Sequence, residues 1–561
     1  MPEIMLKSVL PQQMTGGAAI VEALIANGVD TVFGLPGAQM YAFFDALQQR
    51  SDAIRTFGAR HEQACGYMAF GYARSTGRPG VYSVVPGPGM LNTTAALSTA
   101  LGCNAPVLCI TGQVPSAFIG RGRGHLHELP DQLATLRTVT KWAARIERVE
   151  DTGAVLAEAF RQMLSGRPGP VAVEMAWDVM AGPGKTPERF PMAKQDAAPV
   201  ADEAAIEAAA QALLAARSPL IMLGTGAQDA GAEIAALAEA VGAPVAAFRG
   251  GRGAVPEDHS FSLSSYAAAK RWAKTDLLLG IGSRLEAPYM RWANPMSYVQ
   301  DPGQARQLIR IDIDPAEMER LVPTIGIVAD ANAAVSALLA AVRRLGGNAS
   351  APERKAELQQ LRASARSETE QVQPQLSYLD AIREVLPRDS FFVGELCQVG
   401  FTSYFGFPVY EPRTYVSEGY QGTLGFGFPT ALGVKVAHPD RAVVSVTGDG
   451  GFMFAVQELA TAVQERIGLV TVLFNNNAYG NVLRDQTNNF GGREIGSALV
   501  NPDFIRLAES FGVKAHSMRS PAALRPVLSE AIASNEPTLI VVEVERGSEA
   551  SPWPFIHPRF D

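Results

Sequence analysis

The sequence predicts an α/β protein built from three doubly wound parallel-sheet domains, and three observations lead there. Short apolar runs alternate with helical stretches along the chain, the mark of parallel strands covered by helices on both faces. The alternation is interrupted twice by charged, Pro- or Ala-rich stretches that read as connectors. The length, 561 residues, suits about three domains of ~150–200 residues.

In the first domain, residues 1–185, "GAAIVEALIANGVDTVFGLPG" reads as helix, turn and buried strand. "EQACGYMAFGYARSTGRPGVYSVVPGPG", "LSTALGCNAPVLCITG" and "GRPGPVAVEM" repeat the scheme. "MAGPGKTPERFPMAKQDAAPVADEAA" follows as a linker. The middle domain, residues 195–348, takes its strands from "SPLIMLGTGA", "APVAAFRGG", "TDLLLGIGSR" and "RQLIRIDID". The charged "NASAPERKAELQQLRASARSETEQVQPQ" reads as a solvated helical connector. The third domain, residues 375–561, contains "DSFFVGEL", "RAVVSVTGDGGF", "GLVTVLFNNN" and "PTLIVVEV".

Composition excludes several classes. A net charge of −8 without a dense Lys/Arg cluster argues against a nucleic-acid partner. No stretch reaches ~18 uncharged apolar residues, and the N-terminus lacks a basic region followed by an apolar run, so neither membrane insertion nor export is expected. Cys65, Cys103, Cys109 and Cys397 lack metal-type spacing and read as reduced, mostly buried thiols of a cytoplasmic protein.

The chemistry concentrates in "GDGGFMFAVQELATAVQERIGLVTVLFNNNAYGNV". A strand delivers Asp449 among Gly448, Gly450 and Gly451 at its carboxyl end, where open α/β sheets bind ligands. A helix follows, with Phe454, Leu459 and Val463 on its apolar face. The next strand then delivers Asn475 and Asn476. A carboxylate and an amide oxygen are hard ligands suited to Mg²⁺ or Ca²⁺, and backbone N–H groups at a helix start hold phosphate. A metal bridging a diphosphate accounts for both. Either half alone reads as a helix cap or a turn.

"GDG" followed by "NN", with 27 positions from Asp449 to Asn476, resembles the cofactor motif of thiamine diphosphate (ThDP) enzymes. The resemblance covers essentially the whole chain and is closest to the acetolactate synthase-like, pyruvate oxidase/decarboxylase-type family. It implies pyrimidine-binding, middle and diphosphate-binding domains in that order. It also implies that Asp449, Asn476 and the Ala478 carbonyl hold Mg²⁺, and that Gly448, Gly450, Gly451 and Asn481 lie against the cofactor. "HEQACGYMAFGYAR" matches the segment whose glutamate, here Glu62, activates the pyrimidine ring; on its own Glu62 reads as a first-turn acid favoured by the helix dipole. "GYQGTLGFGFPTALG" places Leu424 beneath the bent cofactor, with Gly422, Gly425 and Gly427 allowing close approach. In such enzymes the two halves of one cofactor site come from different subunits, so a homodimer or homotetramer is implied.

"VFGLPGAQ" and "VVPGPGMLN" resemble loops bordering the reacting carbon, through Pro36, Gly37, Ala38 and Gly87. "ITGQV" puts Gln113 where the family has a polar residue facing the reacting centre. Departures cluster at the substrate side. Acetolactate synthases have Phe-Gln-Glu where this chain has Leu126-His127-Glu128, and His127 is a candidate proton relay or carboxylate donor, with a structural imidazole as its plain alternative. "GMV-QWQ" becomes "GNVLRDQ", putting Asn481 and Asp485 in place of Met and Trp. "G-RFDDR" becomes "GSRLEAPYMR": Arg284 remains, Pro288 takes the second arginine's position, and Arg291 is displaced. Recognition of a second 2-oxo acid is thereby in doubt. FAD is compatible with Arg137, Gly224-Thr225-Gly226 and Arg284, although "GTG" is too short to be diagnostic. The tail "EASPWPFIHPRF" reads as a lid bearing Trp553 and Phe555, or as a segment packed on the third domain.

The reading is a ThDP- and Mg²⁺-dependent enzyme that cleaves or forms a C–C bond of a small 2-oxo acid or related dicarbonyl, in the first instance an acetolactate synthase-like carboligase. A non-ligating decarboxylase of the benzoylformate or pyruvate type and a dicarbonyl C–C hydrolase are the alternatives. A non-catalytic regulatory subunit with the same fold is the rival of another class, and retention of Glu62 argues against it. A nicotinamide-dependent dehydrogenase lacks its GxGxxG.

Overall fold

A computed structural model describes residues 13–292, 306–347 and 352–559. All twelve apolar runs read as strands are strands, and they form the middle of three six-stranded sheets in which every neighbouring pair is parallel. The first sheet runs, edge to edge, Arg55–Gly58, Thr31–Gly34, Gly80–Val84, Val107–Gln113, Val171–Ala176, Trp142–Ile146. The second runs Ser262–Leu263, Val245–Ala247, Pro219–Leu223, Leu277–Ile281, Gln307–Asp312, Ile325–Val328. The third runs Tyr415–Val416, Phe391–Gly394, Val443–Gly448, Val470–Asn475, Thr538–Glu543, Lys514–Met518.

The six edge strands escape the sequence pattern for one reason: they are short or half exposed. Arg55–Gly58 has no buried residue, and Ser262–Leu263 and Tyr415–Val416 have two residues each. An apolar run marks only a strand covered on both faces.

The chain forms two compact units divided between Ala197 and Ala198, inside the predicted linker. The first holds the first sheet, and the second holds the other two. Within the second unit, the 2% exposed Arg252 donates to the Ser403 carbonyl at 2.8 Å and to Glu257 at 2.7 and 2.9 Å. A guanidinium so deeply buried costs several kcal/mol unless its donors are satisfied, so this cluster fixes how the two sheets' layers meet. The Tyr404 ring packs 5.3 Å from Phe248, and Arg413 makes a bidentate pair with Asp229 at 2.7 and 2.8 Å. The connector helix Pro352–Thr369 carries Leu358, Ala365 and Thr369 on a buried face, so it is an integral helix rather than a purely solvated spacer.

One local expectation is corrected. The stretch after Asp449 is not one helix but two, Asp449–Phe452 and Glu458–Gln464, separated by a turn. The break resets the helical phase, so Phe452 and Leu459 are buried while Phe454 and Val463 are 51% and 36% exposed.

Candidate functional site

Strands Val443–Gly448 and Val470–Asn475 are neighbours, with Gly448 opposite Phe474. Their ends therefore release Asp449 and Asn476 side by side, at the rim of a cavity of about 310 Å³. Asp449, Asn476, Ala478, Asn481, Gly422, Leu424, Gly448, Gly450 and Gly451 all line it, together with Cys397, Gln398, Tyr479 and Glu549.

Asp449 is 2% exposed, and no basic side chain among the described residues pairs with it. Burial pushes its carboxyl above the usual range, against hydrogen bonds from Asn501 and backbone N–H groups. The Asn501 amide donates to Asp449 at 2.6 Å and to the Asn475 oxygen at 2.9 Å. Asn476 is oriented at both ends: Nδ2 donates to Glu549 at 2.5 Å, and Oδ1 accepts from Ala478 N at 3.0 Å. A buried carboxylate without a counter-charge beside an amide oxygen is a donor set that fits a hard divalent cation.

The glycines fit a close cradle. A Cβ at Gly450 would lie 2.5 Å from the Tyr479 ring, and one at Gly451 would lie 3.0 Å from Glu395. Glu395, unremarked in the sequence reading, fills the floor of this loop: it is 2% exposed and accepts from Gly427 N at 2.6 Å. Burial raises its pKa to about 7.

Helix Gly480–Asn489 forms one wall. Asn481 Oδ1 accepts from Trp553 Nε1 at 2.5 Å and from Arg484 at 2.7 Å. In the tail, Trp553 bonds to this wall through Asn481, while the 7% exposed Phe555 packs between the middle and third domains, 4.9 Å from Tyr266 and 5.5 Å from Phe405. Asp485 faces a separate groove lined by Lys270, Glu368 and His557, not the Asp449 cavity. Arg291 is held by Glu286 at 3.0 and 2.5 Å and by His557 at 2.9 Å. Arg284 stacks 4.8 Å over Tyr420. The glycines of Gly224-Thr225-Gly226 are spent on backbone packing: a Cβ at Gly224 would lie 2.2 Å from the Gly282 carbonyl oxygen.

In the first unit, Glu62 opens helix Glu62–Thr76, capped by His61 Nδ1, which accepts from Gln63 N at 3.1 Å. Its carboxylate is only half-buried and accepts from Asn92 at 3.0 Å. Gly87 has φ +62°, and a Cβ there would lie 2.5 Å from the His127 carbonyl oxygen. A Cβ at Gly37 would lie 2.5 Å from the Val85 side chain, and Pro36 sits one residue before it, just past strand Thr31–Gly34. Gln113 is 3% exposed and engaged inside the sheet: its oxygen accepts from Val114 N at 2.8 Å, and its amide lies 3.4 Å from Glu174. Glu174 also binds Gln132 at 2.8 Å and Arg145 at 2.6 Å. Gln39, Glu549 and Asn501 were missed in the sequence because their partners lie 26 to 88 positions away.

Fold and cavity together define a ThDP-type enzyme. Three family profiles agree: the thiamine pyrophosphate enzyme N-terminal TPP binding domain at residues 14–135, the central domain at 206–338 and the C-terminal TPP binding domain at 396–542. Among similar proteins, one of Pseudomonas aeruginosa described as a "probable 2-ketoarginine decarboxylase" is 35% identical over 90% of each chain. A "probable acetolactate synthase large subunit" of Methanocaldococcus jannaschii is 35% identical over 95% of this chain and 92% of its own. The acetolactate synthase isozyme 3 large subunit of Escherichia coli is 31% identical over 93% and 92%. The chain belongs to the thiamine pyrophosphate enzyme family and is an acetolactate synthase-like, ThDP-dependent enzyme of 2-oxo acid chemistry. Among the described residues, no helix is long and apolar enough to cross a membrane.

Proposed function

We propose that this enzyme decarboxylates a single 2-oxo acid with a polar side chain, releasing the aldehyde and CO₂, rather than joining two 2-oxo acids. The observation that carries this reading is Arg291, the displaced counterpart of the family's arginine: Glu286 and His557 occupy its guanidinium, so it is not open to a second substrate's carboxylate. The chain carries Asn481 where acetolactate synthases carry Met, a polar replacement that suits a hydrogen-bonding or cationic tail. 2-Ketoarginine, the compound in the name of the Pseudomonas relative, has such a tail and is the first substrate to test.

In this reading Asp449, Asn476 and the Ala478 carbonyl hold Mg²⁺, Gly448, Gly450 and Gly451 receive the diphosphate, and Leu424 and Asn481 flank the cofactor. Bound ThDP supplies the nucleophilic carbon and the electron sink for loss of CO₂. Glu62 holds a proton on the pyrimidine ring, Pro36, Gly37 and Gly87 border the reacting carbon with small residues, and His127 handles the proton that decarboxylation consumes. No flavin is proposed, because packing already accounts for the Gly224–Gly226 loop. A homo-oligomer completing the site with Glu62 from a neighbouring subunit, in the cytoplasm where thiols stay reduced, completes the proposal.

Carboligation is the second reading, favoured by the near-complete alignment with acetolactate synthases. The test is NMR of the protein with ThDP and Mg²⁺ on 2-ketoarginine and on pyruvate. Aldehyde from 2-ketoarginine supports decarboxylation, whereas acetolactate from pyruvate overturns it in favour of ligation.

A further inference from the structure

We propose that Gln39 is a positioning residue that fixes the tautomer of His127, so that Nε2 is the atom that takes and returns the proton. The inference rests on the reading of His127 as the proton-handling group. Gln39 follows strand Thr31–Gly34 and is 2% exposed. Its Nε2 donates to the Leu126 carbonyl at 2.8 Å, and its Oε1 lies 2.7 Å from His127 Nδ1.

The logic is one of donors and acceptors. The Leu126 carbonyl can only accept, so it must face the NH₂ end of the Gln39 amide. That leaves Oε1, an acceptor, toward His127, and Nδ1 must carry the hydrogen. Neutral His127 is then the Nδ1–H tautomer with a lone pair on Nε2, which has no hydrogen-bond partner among the described residues. Turning the amide over would set two oxygens against each other.

The backbone holds this arrangement in place. Gln39 and His127 both sit at positive φ, 69° and 70°, which non-glycine residues rarely adopt unless their surroundings enforce it. Gly87 closes the third side, with no room for a Cβ against the His127 carbonyl. On the same loop, the Glu128 carboxylate accepts from Gly122 N and His125 N at 3.0 Å each, which keeps the loop closed and leaves that carboxylate occupied. Glu62 is the charged group that acts on His127. Burial lowers the imidazole's pKa against the pull of Glu62, so the neutral tautomer is the resting form at neutral pH.

Decarboxylation breaks the bond to CO₂ and leaves its electron pair on the former carbonyl carbon, which needs one proton. The Nε2 lone pair of the neutral ring first takes one proton from solvent, which is the proton the net reaction consumes; Nε2–H⁺ then gives it to that carbon, and Nε2 receives the hydroxyl proton as the aldehyde forms.

The test is ¹⁵N NMR of histidine-labelled full-length protein, with and without ThDP and Mg²⁺, for the wild type, Gln39→Met and Gln39→Glu. The expected result is an Nδ1–H signature for His127 in the wild type and mixed tautomers in Gln39→Met. In Gln39→Met, kcat should fall about 100-fold while ThDP binding is unchanged. Gln39→Glu keeps the acceptor toward Nδ1 and adds charge while giving up the donor to the Leu126 carbonyl, so the His127 titration and the matching limb of the pH–kcat profile should rise together by about one pH unit. An Nε2–H tautomer in the wild type, or an unmoved titration in Gln39→Glu, overturns the proposal, and the second criterion stands even if Gln39→Met fails to fold. The tautomer is read without turnover, so it is decided separately from the decarboxylase reading, which His127→Ala kinetics tests.

Discussion

Glu549 accepts a 2.5 Å hydrogen bond from the side-chain amide of Asn476, and this bond determines which end of that amide is left for a cation. A carboxylate cannot donate, so Nδ2 must face it, and Oδ1 turns toward Ala478 N with a second lone pair to spare. Removing the acceptor frees the amide to rotate. Glu549→Leu should weaken Mn²⁺ or Mg²⁺ binding about 10–100-fold, while Glu549→Gln, which keeps an acceptor oxygen, should lose much less. Paramagnetic titration with Mn²⁺ reads both, and unchanged affinity in Glu549→Leu would sink the argument.

Glu62 accepts from Asn92 at the start of its helix. If it holds the pyrimidine proton, Glu62→Gln should cost about 10²–10⁴ in kcat and leave ThDP affinity within a few-fold. Stopped-turnover assays beside a binding isotherm separate the two effects. Full activity in the variant would remove Glu62 from the chemistry, and parallel loss of binding would make it a binding residue only.

Glu395 gives a pH signature in the third sheet's domain. Burial raises its pKa to about 7 in the fold, against an ordinary value near 4.5. The native state therefore keeps a proton that the unfolded chain releases. Its contribution is fully present below pH 4.5 and is lost as pH rises through about 7, a change on the order of 3 kcal/mol. Glu395→Gln should flatten that decline in urea midpoints between pH 4.5 and 7. A decline as steep as in the wild type would assign it to another group.

Glu317 gives the opposite sign in the middle domain. Burial would raise its pKa, but Arg320 at 2.5 Å and Arg310 at 2.9 Å overcome this and hold it at about 2. Its stabilisation is present above pH 4.5 and is lost as pH falls through about 2. Glu317→Gln leaves Arg310, 1% exposed, without its carboxylate and should cost about 3–5 kcal/mol at pH 7. Thermal or urea unfolding that shifts by less than about 1 kcal/mol would show that the backbone carbonyls of Glu317, Leu321 and Ser283, which also accept from Arg310, suffice without the carboxylate.

The fold was legible where burial is two-sided. Val443–Gly448 and Val470–Asn475 are almost wholly buried and read as largely apolar text, whereas Lys514–Met518 is mostly exposed or half-buried and has one buried residue. The helix after Asp449 was misread because a turn at residues 453–457 breaks its phase, so Phe454 lies on the surface despite its apolar character. Among the residues proposed for the site, those recognisable by their own identity and position stood out in the sequence: Asp449 between glycines, Asn476 at a strand end, Glu62 at a helix start. Gln113 shows the limit, since nothing in "ITGQV" announces that Glu174 will engage it.

The sequence by itself determined the three parallel sheets, the family and the residues lining the Asp449 cavity, because those rest on local patterns: apolar runs, glycine clusters and acids at element ends. Only the tertiary structure decided which atoms those residues present. Glu549 orients Asn476 from 73 positions away and Gln39 orients His127 from 88. A hydrogen bond between side chains so far apart leaves no periodicity in the chain; it exists only once two strand ends and their loops have been folded to the same point.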